Sequence, residues 1–169
     1  VQKAHQLTLI AEIVDVLRPE RQLGPGYDIR ETTDQDVSQL ADLYFAAYSP
    51  EIVKDLPAAR EEIEQAFRGE YGRLDLTASP VVIHGGVIVG SVTTVDEAPW
   101  DDTPPGPFII EVMVHPDHRR RGLAECMIKA AAGRLAKAGR QTVALRVMSD
   151  NTRALPLYHR LGFTSWTET

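Results

Sequence analysis

The chain has 169 residues, a formal net charge of −6 and 43% apolar residues. That length suits one domain with an ordinary core. The acidic balance argues against general nucleic-acid binding and leaves cationic amines as electrostatic partners. No apolar run is long enough to span a bilayer, so no membrane role is expected. No basic-then-apolar leader opens the chain, and its one cysteine, Cys126, suits a reducing cytoplasm.

Residues 1–26 read as an N-terminal extension to a domain spanning 27–169. Leu7, Ile10, Val14 and Leu17 fit a helical face. The same stretch is rich in β-branched residues, which suits a strand, and both readings stand. Pro19, Gly24, Pro25 and Gly26 then punctuate a loop. Tyr27 to Arg30 reads as a short strand. Glu31-Thr32-Thr33-Asp34 offers N-caps to a helix ending near Tyr48, with Val37, Leu40, Leu43, Tyr44 and Ala47 on its buried face. A second helix is expected over Ala58 to Arg68. Pro80 to His84 and Gly86 to Val95 form two strands joined at Gly85-Gly86. Glu97 to Pro107 is a stiff, proline-rich loop. Asp96, Glu97, Asp101 and Asp102 surround its Trp100, which reads equally as a lure for a cationic amine or as a solvated loop.

Phe108 to Val114 is a central strand. Gly122 to Ala138 is a helix with Leu123, Met127, Ala131 and Leu135 along one stripe, stopped by Gly139. Gln141 to Met148 is a strand. Asn151 to Leu161 is a short helix capped by Asp150 or Asn151 and ended by Gly162, and Phe163 starts a last strand. Between the central strand and its helix lies His115-Pro-Asp-His-Arg119-Arg120-Arg121-Gly122-Leu123-Ala124. A basic glycine turn that opens a helix is built for anions, because the first amides lack intrahelical partners and the dipole end is positive. There is no G-x-x-x-x-G-K-[ST] and no G-x-G-x-x-G, so neither a P-loop nor a dinucleotide fingerprint is present.

Arg119-x-x-Gly122-x-Ala124 resembles the phosphate loop of the GNAT N-acetyltransferase superfamily. A second block, Leu145 to Phe163, resembles that family's strand followed by Asn151-x-x-Ala154-x-x-x-Tyr158 and then Gly162-Phe163. The resemblance implies an α/β fold with a mixed sheet whose two central parallel strands, holding Val112 and Leu145, splay apart to admit the acyl chain. It implies acetyl-CoA as cosubstrate, with Arg119, Arg120, Arg121, Gly122, Leu123 and Ala124 at the pyrophosphate and Val112, Met113 and Val114 pairing with pantetheine. The family usually carries a further strand after this point. Either the C-terminus is truncated, or another segment completes the sheet. The strand-like N-terminal stretch is expected to pack on the domain, within the chain or across a homodimer.

Acetyl transfer to an amine also needs proton movement. By the resemblance Tyr158 lies near the coenzyme sulfur, where a protonated phenol donates to a thiolate; as a core tyrosine it packs on Phe163. Asn151 caps its helix or bonds the pantetheine arm. Alternation puts Glu111 opposite Ile110 and Val112, where it is either the general base or a salt-bridged sheet residue. Family members that use an ordered water need no base. His115 and His118 are interrupted by Pro116 and lack a third ligand, so no metal is expected. Cys126 lies inside a helix, and no nucleophile dyad or triad is recognisable, which favours direct transfer over an acyl-enzyme. The expected function is N-acetyltransfer to a small-molecule or protein amine, the alternative an acyl-CoA-binding sensor with little turnover.

Overall fold

The computed structural model describes residues 3–18 and 20–168; the readings made at Val1, Pro19 and Thr169 fall outside them. The first described element is a strand, β1 (Gln6–Glu12), and a single helical turn follows it, α1 (Ile13–Val16). The strand reading holds over most of this stretch, whereas the helical face of Leu7, Ile10, Val14 and Leu17 does not form: Leu7 and Ile10 lie in β1, and Val14 and Leu17 are exposed. Leu9 and Ala11, two apart, are buried as strand residues. Ile13 and Val16, three apart, are buried as helix residues.

The remaining elements fall close to the expected boundaries. They are β2 (Tyr27–Glu31), α2 (Val37–Ala47), α3 (Leu56–Phe67), β3 (Pro80–His84), β4 (Val87–Val95) and β5 (Phe108–Val114). Then come α4 (Leu123–Lys137), β6 (Thr142–Met148), α5 (Ala154–Arg160) and the short β7 (Thr164–Ser165). Thr33 caps the 3-10 turn that leads into α2, in a reciprocal box with Asp36. Asp55 caps α3 through the Ala58 amide.

One mixed sheet holds seven strands in the order β2-β3-β4-β5-β6-β1-β7. Every neighbouring pair is antiparallel except β5 and β6. β1 pairs with β6 from Gln6↔Met148 to Glu12↔Thr142 and with β7 on its other side. A segment of the same chain thus lies where the sequence left the sheet to be completed. Leu9, Val16, Met127, Ile128, Leu145, Leu161 and Phe163 meet in the largest core cluster. Leu40, Leu43 and Ile63 of α2 and α3 pack with Val81, Ile88 and Met113 in a second one.

Two features of β5 shape the site. Thr93 of β4 pairs with Glu111, but Thr94 pairs with Ile109, so Ile110 is an extra residue, a β-bulge. Ile109 then joins the α4-side cluster and Met113 the α2/α3-side cluster. Unbroken alternation would have put both on one face, and Glu111 with them. The second feature is that β5 and β6 pair only at Phe108↔Ala144 and Ile109↔Leu145. Beyond the bulge the two parallel strands part.

Candidate active site

The parting of β5 from β6 frees one backbone edge of β5 from Ile110 to Val114. Amide and carbonyl groups on such an edge accept an extended amide-bearing chain as though it were another strand. Met113 is buried beneath it, with Val112 and Val114 partly exposed.

Glu111 stands where the bulge ends. The Tyr48 hydroxyl, from the residue that follows α2, donates to its Oε1. Burial pushes the Glu111 carboxyl up to about 7; the Tyr48 hydrogen bond opposes this, the Glu62 charge adds to it, and the Val112 amide opposes it. Burial, and then the Glu111 charge, also push the Tyr44 and Tyr48 phenols upward, and the two rings lie 4.5 Å apart. Glu62 accepts from Tyr71 at 3.0 Å on the same side. A carboxyl that titrates near neutrality is suited to take a proton from an ammonium. Sequence reasoning missed Tyr48, because nothing in a helix-terminal tyrosine announces a partner far along the chain.

Tyr158 comes from α5. Its ring is buried beside Phe163, with centroids 5.9 Å apart. Burial, then the Glu111 charge, push its phenol up to about 12. It is therefore a proton donor, not an anion, at any physiological pH. The Glu111 charge therefore reaches Tyr158. Asn151 caps α5 by accepting from the Ala154 amide at 3.0 Å, which occupies its oxygen and leaves its Nδ2 hydrogens.

The basic turn sits at the open end of the gap. Gly122 caps α4 with φ +74°, and Arg120 is also left-handed at φ +64°. Alternating backbone hands of this kind make concave amide nests that hold anions. Leu123 is buried under the turn and Ala124 is half-buried. Arg120 and Arg121 are exposed. Arg119 is engaged elsewhere: Nε donates to Val114 O at 3.2 Å and Nη2 to Ala47 O at 3.0 Å. Its guanidinium ties the end of β5 to the end of α2, so it braces the turn.

Beside the turn His118 takes part in a ring cluster with Tyr27, His84 and His115, and shares a 2.8 Å hydrogen bond with the Tyr27 hydroxyl. Among the described residues no group of three or more His, Cys, Asp or Glu side chains is arranged to hold a metal. Cys126 is buried in α4 and burial raises its thiol. In the 97–107 loop, Asp102 pairs with Arg146 at 2.5 Å, and Arg146 lies 4.7 Å over the Trp100 ring. One acidic group and one face of the tryptophan are thus already engaged.

Residues 37–163 match the acetyltransferase (GNAT) family. The chain belongs to that family. The matched span contains Glu111, the basic turn and Tyr158, whereas β1, α1 and β2 precede it. Solved GNAT structures share the fold. A GCN5-related N-acetyltransferase from Sphaerobacter thermophilus aligns over 96% of this chain at 17% identity and TM-score 0.70. This chain spans only 48% of that one. An aminoglycoside N-acetyltransferase in complex with CoA aligns over 89% of this chain and 95% of its own, at 20% identity and TM-score 0.64. The ribosomal-protein-S18-alanine N-acetyltransferase of Escherichia coli aligns over 83% and 79%, at 20% identity and TM-score 0.62. Among curated proteins no sequence match is found.

Proposed function

We propose that this GNAT protein is an acetyl-CoA-dependent N-acetyltransferase that acts on a primary amine by direct transfer within a ternary complex. The observation that carries the reading is the parted β5/β6 pair, followed along the chain by a basic turn with left-handed Arg120 and Gly122; Glu111 on the freed length of β5, whose charge reaches Tyr158, supports it. Val112, Met113 and Val114 would pair with the pantetheine arm. Amides from Arg120 to Ala124 would hold the pyrophosphate. In the reaction the acceptor ammonium gives a proton to Glu111, and its nitrogen then attacks the thioester carbonyl. The C–S bond breaks, the leaving thiolate takes the Tyr158 proton, and the now-cationic nitrogen sheds its second proton to the Tyr158 oxygen, so that amide, free CoA and a neutral phenol remain. Both side chains are in the required state at neutral pH, the carboxyl half-ionised and the phenol protonated. The acceptor side is bounded by Tyr44, Tyr48, Glu62 and Tyr71, whose carboxylate and phenol rings suit a cationic amine.

Calorimetry with acetyl-CoA, followed by thiol release across a panel of amines, tests this reading. Saturable binding and acceptor-dependent release of free CoA are expected. Absence of acetyl-CoA binding overturns it. Binding without release against small amines, polyamines and peptide amines would favour a coenzyme-binding module.

A further inference from the structure

The basic turn carries one more cation, and it comes from outside the matched residues. Arg21 belongs to the connection between α1 and β2. Its guanidinium lies against Gly122: a methyl group built on that glycine would come within 2.2 Å of Nη2, 2.6 Å of Cζ and 2.7 Å of Nε. Gly122 is the cap of α4, so Arg21 holds a positive charge against the positive end of a helix dipole. That placement is unfavourable unless an anion shares the space.

The local charge is balanced by protein only in part. Arg21 Nε lies 3.9 Å from Glu125 Oε2, and Glu125 Oε1 already accepts from Arg160 Nη2 at 2.5 Å. One buried carboxylate thus serves two guanidinium groups, with Arg120 and Arg121 exposed close by. The backbone on either side of Arg21 is nevertheless fastened to this place. Lys129 Nζ donates to Val16 O at 2.7 Å, Cys126 Sγ donates to Arg21 O at 3.8 Å, and Tyr27 is bonded to His118. Lys129 is itself buried, so its ammonium is committed to that carbonyl. The chain invests these contacts in holding a cation where the helix field opposes it.

We infer that Arg21 is a coenzyme ligand, a guanidinium that the N-terminal segment brings over Gly122 to pair with the pyrophosphate of acetyl-CoA. The inference rests on the function proposed above. A planar guanidinium suits this role, because its fork of donors matches two phosphate oxygens at once. Arg119, at the corresponding motif position, has its donors on Val114 and Ala47 carbonyls. Arg21, whose guanidinium is held among the described residues only by the 3.9 Å pairing with Glu125, supplies the charge in its stead.

The test uses the full chain as wild type, Arg21→Gln and Arg21→Lys, with thermal melts as a folding check. Acetyl-CoA and 3′-dephospho-CoA are titrated at low and high salt. Loss of a charge-assisted bond to phosphate weakens binding by about 10- to 100-fold. Arg21→Gln is expected to lose that much for both ligands, less at high salt, and Arg21→Lys to recover part of it. Unchanged affinity overturns the inference. Tighter binding also overturns it, because Arg21 would then be a plug that the phosphates displace. A loss confined to the ligand with the 3′-phosphate overturns the pyrophosphate assignment. If the wild type itself binds no acetyl-CoA, the proposed function falls and this inference with it, whereas wild-type binding with an indifferent Arg21→Gln removes this inference alone.

Discussion

Glu111 and Tyr158 carry opposite halves of the proposed proton traffic, and their surroundings push both toward the protonated form. For Glu111 the folded carboxyl titrates at about 7, above its ordinary value of 4.5. Between those values the native state binds more protons than the unfolded chain, so the contribution of Glu111 to stability is full below 4.5 and is lost as pH rises through about 7. Glu111→Gln keeps an oxygen to accept from Tyr48. It should therefore melt roughly 2–6 °C above wild type at pH 8, with no gain near pH 4.5. The same variant should lose the acid limb of kcat/KM, centred at about 7 in the wild type, with a fall of about 10²–10⁴-fold. Tyr48→Phe removes a bond that favours the carboxylate and should move that limb to higher pH. A wild-type limb that persists in Glu111→Gln assigns the base to another group or to water. For Tyr158 the phenol at about 12 places any alkaline limb outside the range in which the protein is assayed. Tyr158→Phe keeps the ring against Phe163 and should still bind acetyl-CoA. With chemistry rate-limiting its kcat should drop by about 10²–10⁴-fold. Wild-type kcat in that variant would reduce the tyrosine to a packing residue.

At the scale of elements, much of the site was legible because local signals and long-range structure agree. Phe108–Val114 is bounded by Pro107 and Pro116, and an apolar run between two prolines has little choice but to be a strand. The α4 stripe and Gly139 marked that helix to within a residue. Asn151 has two readings, cap or pantetheine ligand; its Oδ1 accepts from the Ala154 amide, the first residue of the helix proper, and its amide nitrogen stays available for the other. What stayed hidden depends on pairings that no spacing encodes. Ile110 is chemically like Ile109, so the bulge that turns Glu111 toward α2 leaves no trace in residue type. The Tyr48–Glu111 bond joins a helix end to a strand. The contact of Arg21 with Gly122 joins a loop of unremarked composition to a recognised turn. The acidic loop shows the converse. Its charges were visible, but Arg146, which takes up Asp102 and covers Trp100, sits on β6, and β6 reaches that loop only through the fold.

The whole molecule depends on a strand that lies outside the family-matched span. β1 is inserted between β6 and β7, so removing it would strip β6 of its only antiparallel neighbour among the described strands. β6 is also one wall of the gap that parts from β5, and a wall with an unpaired outer edge would hold that gap poorly. Leu9 is the point at which this can be tested. It faces Leu145 across the β1–β6 pair and Ser165 across β1–β7, and none of its surface is exposed. Its cluster includes Leu145, Tyr158 and Phe163. Leu9→Ala leaves a cavity in a core that has little freedom to collapse, because the strands on both sides are fixed by backbone bonds. The expected cost is about 2–5 kcal/mol, read as a lower urea midpoint at unchanged slope. Val14, on α1, is 58% exposed, and Val14→Ala should stay within about 0.5 kcal/mol. The two variants remove aliphatic carbons from the same segment, so the contrast isolates burial. Because Tyr158 shares the Leu9 cluster, kcat measured well below the melting range should also fall in Leu9→Ala. Equal urea midpoints for the two variants would make β1 a passive cover, and the sheet would then have to stand without it.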